Sequence, residues 1–198
     1  ESERWKPLVT HLTREAQDTP DARARAQALF EAADVLATHL NAPAEAAALL
    51  NTALADALDP RKTRDRIVSL LDDAGATDDL TTRLAEWSAD PALDAGDRLR
   101  FKALHAKTLL SETDTAQRGL DGLAALLPDP AGRPGALEAL RRFLRDAPER
   151  LAAGRSGAAA TVVQRAAALF QEALGAAPSA AEGAPGDAAD VDAEDLGL

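Results

Sequence analysis

The sequence predicts an all-α protein built from α-hairpins that stack on one another. The first observation is composition: 46% of the 198 residues are hydrophobic, but aromatic residues make up only 3% and tyrosine is absent. Alanine and leucine supply most of the apolar content, and they favour close-packed helices over strands, which prefer β-branched and aromatic side chains. The second observation is helical spacing of these apolar residues, and the third is that the pattern recurs along the chain.

Segment 42–60 shows the helical spacing most clearly. Its apolar residues fall at i, i+3, i+4, i+7, i+8, i+11 and i+12, which makes one stripe along a helix: Ala46, Leu49, Leu50, Ala53, Leu54, Ala57 and Leu58. Pro43 is compatible with a helix start, because its missing N–H would have no partner there. Pro60 disfavours helical geometry in Asp59. We therefore expect a helix over residues 44–58.

The same pattern returns after 70 residues, the difference between Pro60 and Pro130. At this offset the apolar positions of two successive helices coincide, as the pairs Leu29 and Leu99, Ala33 and Ala103, Leu40 and Leu110, Ala46 and Ala116, and Leu50 and Leu120 show. An offset that covers four helices implies a helix pair of about half that length, which is within the range of helical repeat arrays.

Periodicity and turn residues predict helices throughout the first 174 residues, with bounds 7–17, 22–40, 44–58, 62–74, 78–87, 96–112, 114–127, 134–147, 148–153 and 158–174. The connections are short, so neighbouring helices are expected to be antiparallel. The longest one, 88–95, is expected to loosen the stack between the two copies. Residues 175–198 carry six acids and no basic residue among small residues and prolines, which predicts a disordered acidic tail.

This organisation resembles the tetratricopeptide repeat family, in the loosely patterned form found in large proteins of GC-rich bacteria. The family pattern places two small residues seven positions apart on the second helix and a proline at the end of the unit. Ala46, Ala53 and Pro60 match it; in the later copy Ala116 matches and Leu123 replaces the second small residue. The resemblance implies an α-hairpin solenoid that acts as a protein–protein interaction scaffold, and it implies no catalysis.

Residues that could support chemistry are few. There is no cysteine, and none of His11, His39 and His105 has a second metal ligand at helical spacing. The sequence also lacks a nucleophile elbow and a phosphate-binding loop. We therefore expect a non-enzymatic protein without metal or cofactor. A net charge of −11 disfavours nucleic acid as a partner. The longest apolar runs are too short to insert into a membrane, and a cytoplasmic location is favoured, with the periplasm left open.

In an α-hairpin solenoid the first helices of successive pairs line one surface. The predicted helices 22–40, 62–74, 96–112 and 134–147 together carry a charge of +3 and form the least acidic part of the chain. Partner-binding residues are predicted on two of them, away from their core stripes: Phe101, His105, Thr108, Arg141 and Arg145. A phenylalanine flanked by arginines suits an acidic peptide or protein segment with an apolar anchor.

Several alternatives stay open at this point. In the first alternative, Phe101 packs between units, and Arg141 and Arg145 only make the surface soluble. The basic cluster at 61–66 is either an anion-binding patch or a solvated first turn of a helix. The acidic segment 190–198 either folds back on the inner surface or serves as a linker. For the whole chain, the alternative to a scaffold is a regulatory helical domain of a larger enzyme or signalling protein.

Overall fold

The computed structural model describes residues 2–112, 114–147 and 157–175. In these ranges the chain forms nine α-helices, one short 3₁₀ turn at 54–56 and no strand: α1 (Ser2–Asp18), α2 (Ala22–His39), α3 (Pro43–Ala53), α4 (Pro60–Asp73), α5 (Thr77–Ala89), α6 (Ala95–Ser111), α7 (Ala116–Leu126), α8 (Arg133–Arg145) and α9 (Gly157–Gly175). The predicted all-α class is confirmed. The predicted helix 148–153 and residues 176–198 of the predicted tail lie outside the described residues.

Each helix packs against the next one along the chain, from α1 to α8, and α9 packs against both α8 and α7. Helix α6 also contacts α8. Every helix in the described ranges falls short of the apolar run that a bilayer-spanning segment needs.

Aspartates fix where α2, α4 and α6 begin. The side chains of Asp21, Asp59 and Asp94 accept hydrogen bonds from the backbone N–H three residues later, at 2.7, 3.0 and 2.8 Å. Such caps satisfy amide groups that have no partner within the helix. The donated hydrogen bonds also lower the pKa of the Asp59 and Asp94 carboxyls.

Helix α3 is shorter than predicted. It ends at Ala53, and Leu58, the last member of the predicted stripe, is 77% exposed. The reason is that Asp59 and Pro60 belong to the next helix, where Asp59 is the N-cap and Pro60 occupies the first turn. Pro60 therefore marks the start of α4, and the chain must leave helical geometry several residues before it.

Two apolar clusters form most of the core, and α6 contributes to both. The first joins α2 to α6 and includes Leu50, Ile67, Leu84, Trp87 and Phe101. The second joins α6 to α9 through a separate set of residues: Ala106, Leu110, Leu120, Leu123, Leu140 and Ala166. The prediction that the connection 88–95 loosens the helix stack is wrong. The ring centroids of Trp87 and Phe101, which lie on opposite sides of this connection, are only 5.2 Å apart.

Helices α6 and α7 approach each other closely at Gly119. A Cβ atom at this position would lie 2.7 Å from the carbonyl oxygen of Ala106 and 2.9 Å from the backbone nitrogen of Leu110. Real Cβ atoms do not come this close to backbone atoms. The missing side chain of Gly119 therefore sets the distance between the two helices.

Ion pairs connect α2, α4 and α6, which are not neighbours in the chain. They use residues of the predicted basic cluster and its surroundings: Arg66 with Asp34 at 3.6 Å, Arg61 with Asp97 at 3.3 Å, and Arg100 with Asp65 at 2.6 Å. Arg61 and Arg66 are thus engaged with carboxylates of other helices. This arrangement supports a structural role for the cluster at 61–66 over an anion-binding one.

Candidate interaction cleft between α6 and α8

A cleft of about 390 Å³ lies between α6 and α8. Five apolar residues line it: Leu99, Ala103, Leu104, Ala131 and Ala139. The cleft stays open because Gly135 faces α6, where even a single Cβ atom would lie 3.3 Å from the Cβ atom of Ala103.

Three cations, Arg100, Lys107 and Arg142, line the same cleft together with one carboxylate, Glu138, so its lining carries a net charge of +2. Within the part of the chain that the structure describes, neither Lys107 nor Arg142 takes part in an ion pair. Because no described carboxylate neutralises them, these two cations are available to a negatively charged ligand.

Arg100 is held differently from the other two cations. One of its terminal nitrogens donates to Asp65 at 2.6 Å, and its guanidinium carbon lies 4.7 Å from the centre of the Phe101 ring. Its Nε and second terminal nitrogen are buried without a hydrogen-bond partner. Arg100 thus links α6 to α4 and forms a fixed wall of the cleft.

The region around the cleft differs in charge from the rest of the chain. Residues 95–145 contain nine arginines and lysines against six aspartates and glutamates, a net charge of +3, although the whole chain carries −11. The chain therefore presents a basic region around this cleft within an acidic protein, which favours acidic ligands at this place.

The predicted site residue Phe101 is not on the surface, so this part of the site prediction is wrong. Its side chain is 1% exposed and packs against Trp87 in the first core cluster. The prediction assumed that α6 is buried along one stripe only. In the structure α5 covers the side that carries Phe101, and α7 covers the side that carries Ala106 and Leu110.

The other four predicted residues lie in three separate places. His105 lines a second cleft, between α6 and α7. Thr108 is half-buried, and its hydroxyl donates to the carbonyl of Leu104 at 3.0 Å. Arg141 and Arg145 are exposed on α8, and neither lines the α6–α8 cleft. The five residues are therefore not brought together into one site.

The cations that line the cleft have a signal in the sequence. On α6, Arg100, Ala103, Leu104 and Lys107 fall at i, i+3, i+4 and i+7, which is one helix face. On α8, Arg142 follows Gly135 at the same spacing of seven. Small apolar residues flanked by cations on both helices mark the facing surfaces.

The second cleft, between α6 and α7, has a volume of about 530 Å³ and contains the titratable residues Lys102, His105, Arg118 and Asp129. Burial lowers the pKa of His105, and the positive charge of Arg118 lowers it further. His105 is therefore neutral at pH 7. In the described ranges, no group of three His, Asp or Glu side chains is arranged to hold a metal ion.

We expect the imidazole of His105 to titrate below the ordinary histidine value of about 6.5. Since the unfolded chain takes up the proton first as the pH falls, the free energy of unfolding should decline below about pH 6.5. NMR titration of the histidine ring signals measures the pKa directly. Arg118→Gln should raise the pKa only part of the way, because burial is the larger cause. A His105 pKa at or above 6.5 would contradict the burial of its ring.

Comparison with known proteins gives no match to a family model, a curated protein or a solved structure.

Proposed function

We propose that this chain is a non-enzymatic protein-interaction module that binds an acidic segment with an apolar anchor in the α6–α8 cleft. The observation that carries the proposal is the combination of an apolar floor with two cations, Lys107 and Arg142, that lack a described ion pair. An apolar side chain of the ligand fills the floor, and its carboxylates pair with the cations.

The proposal includes the arrangement of the helices as an α-hairpin repeat of the tetratricopeptide-like kind. Its support comes from a third cleft, of about 410 Å³, between α2 and α4, which we call the α2–α4 cleft. Four positions of this cleft coincide with lining positions of the α6–α8 cleft at an offset of 70: Ala26 with Gly96, Phe30 with Arg100, Asp34 with Leu104, and Lys62 with Gly132. The two clefts thus occupy corresponding positions in the two copies.

Capping aspartates support the same repeat. Asp59 and Asp94, the N-caps of α4 and α6, are 35 residues apart (94 − 59). Asp129 follows after another 35 residues (129 − 94), just before α8, where its side chain accepts a hydrogen bond from the backbone N–H of Ala131. A recurring turn residue at this interval is expected of a helix-pair unit of that length.

The two clefts differ in their charge. In the α2–α4 cleft Arg66 pairs with Asp34 at 3.6 Å, and Lys62 pairs with Asp59 at 3.4 Å. The cations of this copy are thus partly neutralised by the chain itself. The α6–α8 cleft is therefore the one that fits an acidic ligand.

The lining of the α6–α8 cleft is suited to binding and not to catalysis. Among its described lining residues, Glu138 is the one carboxylate, and there is no hydroxyl or imidazole beside it. General acid–base and nucleophilic catalysis need a second group within hydrogen-bond reach. The volume of about 390 Å³ is at the lower end of ligand pockets and fits a few peptide side chains.

The experiment that tests this function is fluorescence anisotropy with a labelled peptide of alternating Asp and Glu residues around one central leucine, the acidic leucine peptide. We expect a dissociation constant in the micromolar range, on the order of 10 μM. A peptide with serine in place of leucine should bind about tenfold more weakly. Raising NaCl from about 50 mM to about 300 mM should weaken binding about tenfold. Equal binding of a peptide with lysine in place of every acid would overturn the proposal.

A further inference from the structure

We infer that the occupant of the α6–α8 cleft is the chain's own acidic segment 176–198, which docks there in cis and competes with other acidic ligands. This inference rests on the proposed function of the cleft and names its ligand. It is drawn from three observations: the charge of the cleft, the sequence of the segment, and the length of chain between the two.

The charges of the two parts are complementary. Residues 95–145 carry +3, and the segment carries six acids and no basic residue. The cations that face the segment are Lys107 and Arg142, which have no ion pair among the described residues. Each of these cations gains a carboxylate when the segment docks, and docking brings a basic part of the chain together with an acidic one.

The segment also supplies apolar anchors for the floor of the cleft. Val191, Leu196 and Leu198 stand among its acids, in the sequence DVDAEDLGL. In extended chain, residues two apart point to the same side, so Leu196 and Leu198 present one apolar face. Asp192, Glu194 and Asp195 stand between these anchors in the sequence and supply the carboxylates for the cations. An acidic linker without such anchors would leave the apolar floor of the cleft unfilled.

The segment is long enough to reach the cleft. Helix α9 ends at Gly175 and packs against α8, which forms one wall of the cleft. The 23 residues that follow (198 − 175) span roughly 26 Å on average as flexible chain, and about 75 Å when extended. Helix α8 itself is only about 20 Å long.

Tethering makes even weak docking effective. A short flexible tether gives an effective concentration on the order of 1 mM. If the free segment binds with a dissociation constant of about 100 μM, the tethered segment occupies the cleft about nine-tenths of the time. Other acidic ligands then bind about tenfold more weakly than they would to an open cleft.

The test uses the full chain and the acidic leucine peptide. One variant carries Val191→Ser, Leu196→Ser and Leu198→Ser, which removes the anchors and leaves the net charge at −11. A second variant replaces the six acids of the segment with their amides. We expect both variants to bind the peptide about tenfold more tightly than the unaltered chain. The first variant shows that the gain does not arise from a change in overall charge.

A second readout reports on the docked segment directly. In ¹⁵N-labelled full chain, the same substitutions should shift the backbone amide signals of Lys107 and Arg142 without any added peptide. The inference is overturned if the variants and the unaltered chain bind the peptide equally and these amide signals do not move. It is also overturned if the unaltered chain forms a concentration-dependent dimer that neither variant forms, since the segment then docks on a second copy.

The failure of the inference can be distinguished from failure of the proposed function. If all three proteins bind the peptide measurably and equally, the docking of the segment is disproved, and the cleft remains an acidic-peptide site. If none of the three proteins binds the peptide, including the variant without acids in the segment, both the docking of the segment and the proposed function of the cleft are disproved.

Discussion

Reversing two charges of the cleft, with Lys107→Glu and Arg142→Glu in one chain, should abolish measurable binding of the acidic leucine peptide. The two changes turn the cations that face the ligand's carboxylates into carboxylates, so attraction is replaced by repulsion. We expect the dissociation constant to rise about 100-fold, which corresponds to roughly 2.7 kcal/mol. Most of this loss should be visible at low salt, and the difference should shrink as ionic strength rises.

A matched control is available on the same helix. Arg141→Glu with Arg145→Glu makes the same change in net charge, from −11 to −15, on exposed residues that do not line the cleft. We expect the dissociation constant of this control to rise less than about threefold. If the control lost binding and the Lys107 and Arg142 variant kept it, the surface predicted from sequence would be the binding surface and the cleft would not.

The largest expected effect on stability comes from Gly119→Ala. A change from glycine to alanine inside a helix usually stabilises a protein by about 1 kcal/mol. Here the new Cβ atom would meet backbone atoms of Ala106 and Leu110 at 2.7 to 2.9 Å, so α6 and α7 must move apart. Since overpacking costs about 1 to 3 kcal/mol or more, we expect a net loss of about 2 kcal/mol in the free energy of unfolding. Urea unfolding followed by circular dichroism at 222 nm measures it.

Gly135→Ala in α8 is the control for this prediction. Its Cβ atom meets only the Cβ atom of Ala103, at 3.3 Å, and Gly135 is exposed. We expect this variant to be as stable as the unaltered chain or slightly more stable, because the gain in helix propensity offsets the contact. Equal stabilities of the Gly119 and Gly135 variants would mean that α6 and α7 are farther apart than the structure places them.

Helix positions could be predicted from the sequence because their signals are local. The apolar period places α2 to α8 within a few residues of their bounds, and Asp-Pro and Asn-Ala-Pro mark the breaks between them. The sequence pattern predicts that Asp59 ends the helix before it. In the structure Asp59 is instead the N-cap of the following helix, α4. The 35-residue spacing of Asp59, Asp94 and Asp129 is visible in the sequence and is a sharper repeat signal than the apolar pattern.

The predicted site was less accurate because burial depends on what packs around a helix. Phe101 is outside the stripe formed by Leu99, Ala103, Ala106 and Leu110, so a single-face reading of α6 leaves it exposed. In the structure α5 covers that side with Trp87. The predicted cations also differ from those of the cleft: Arg141 and Arg142 are adjacent in sequence, but only Arg142 lines the cleft.

The shared use of α6 has a consequence for modular exchange. Repeat proteins can gain or lose units when a unit contributes only to its own contacts and to one standard interface. Helix α6 gives Phe101 to the cluster before it and Ala106 and Leu110 to the cluster after it. Shuffling at residues 90–94 would therefore leave Trp87 without its aromatic partner. A boundary after α6 would instead separate Ala106 and Leu110 from the second cluster, so neither end of α6 is a site where the proposed 70-residue unit could be exchanged without loss of core contacts.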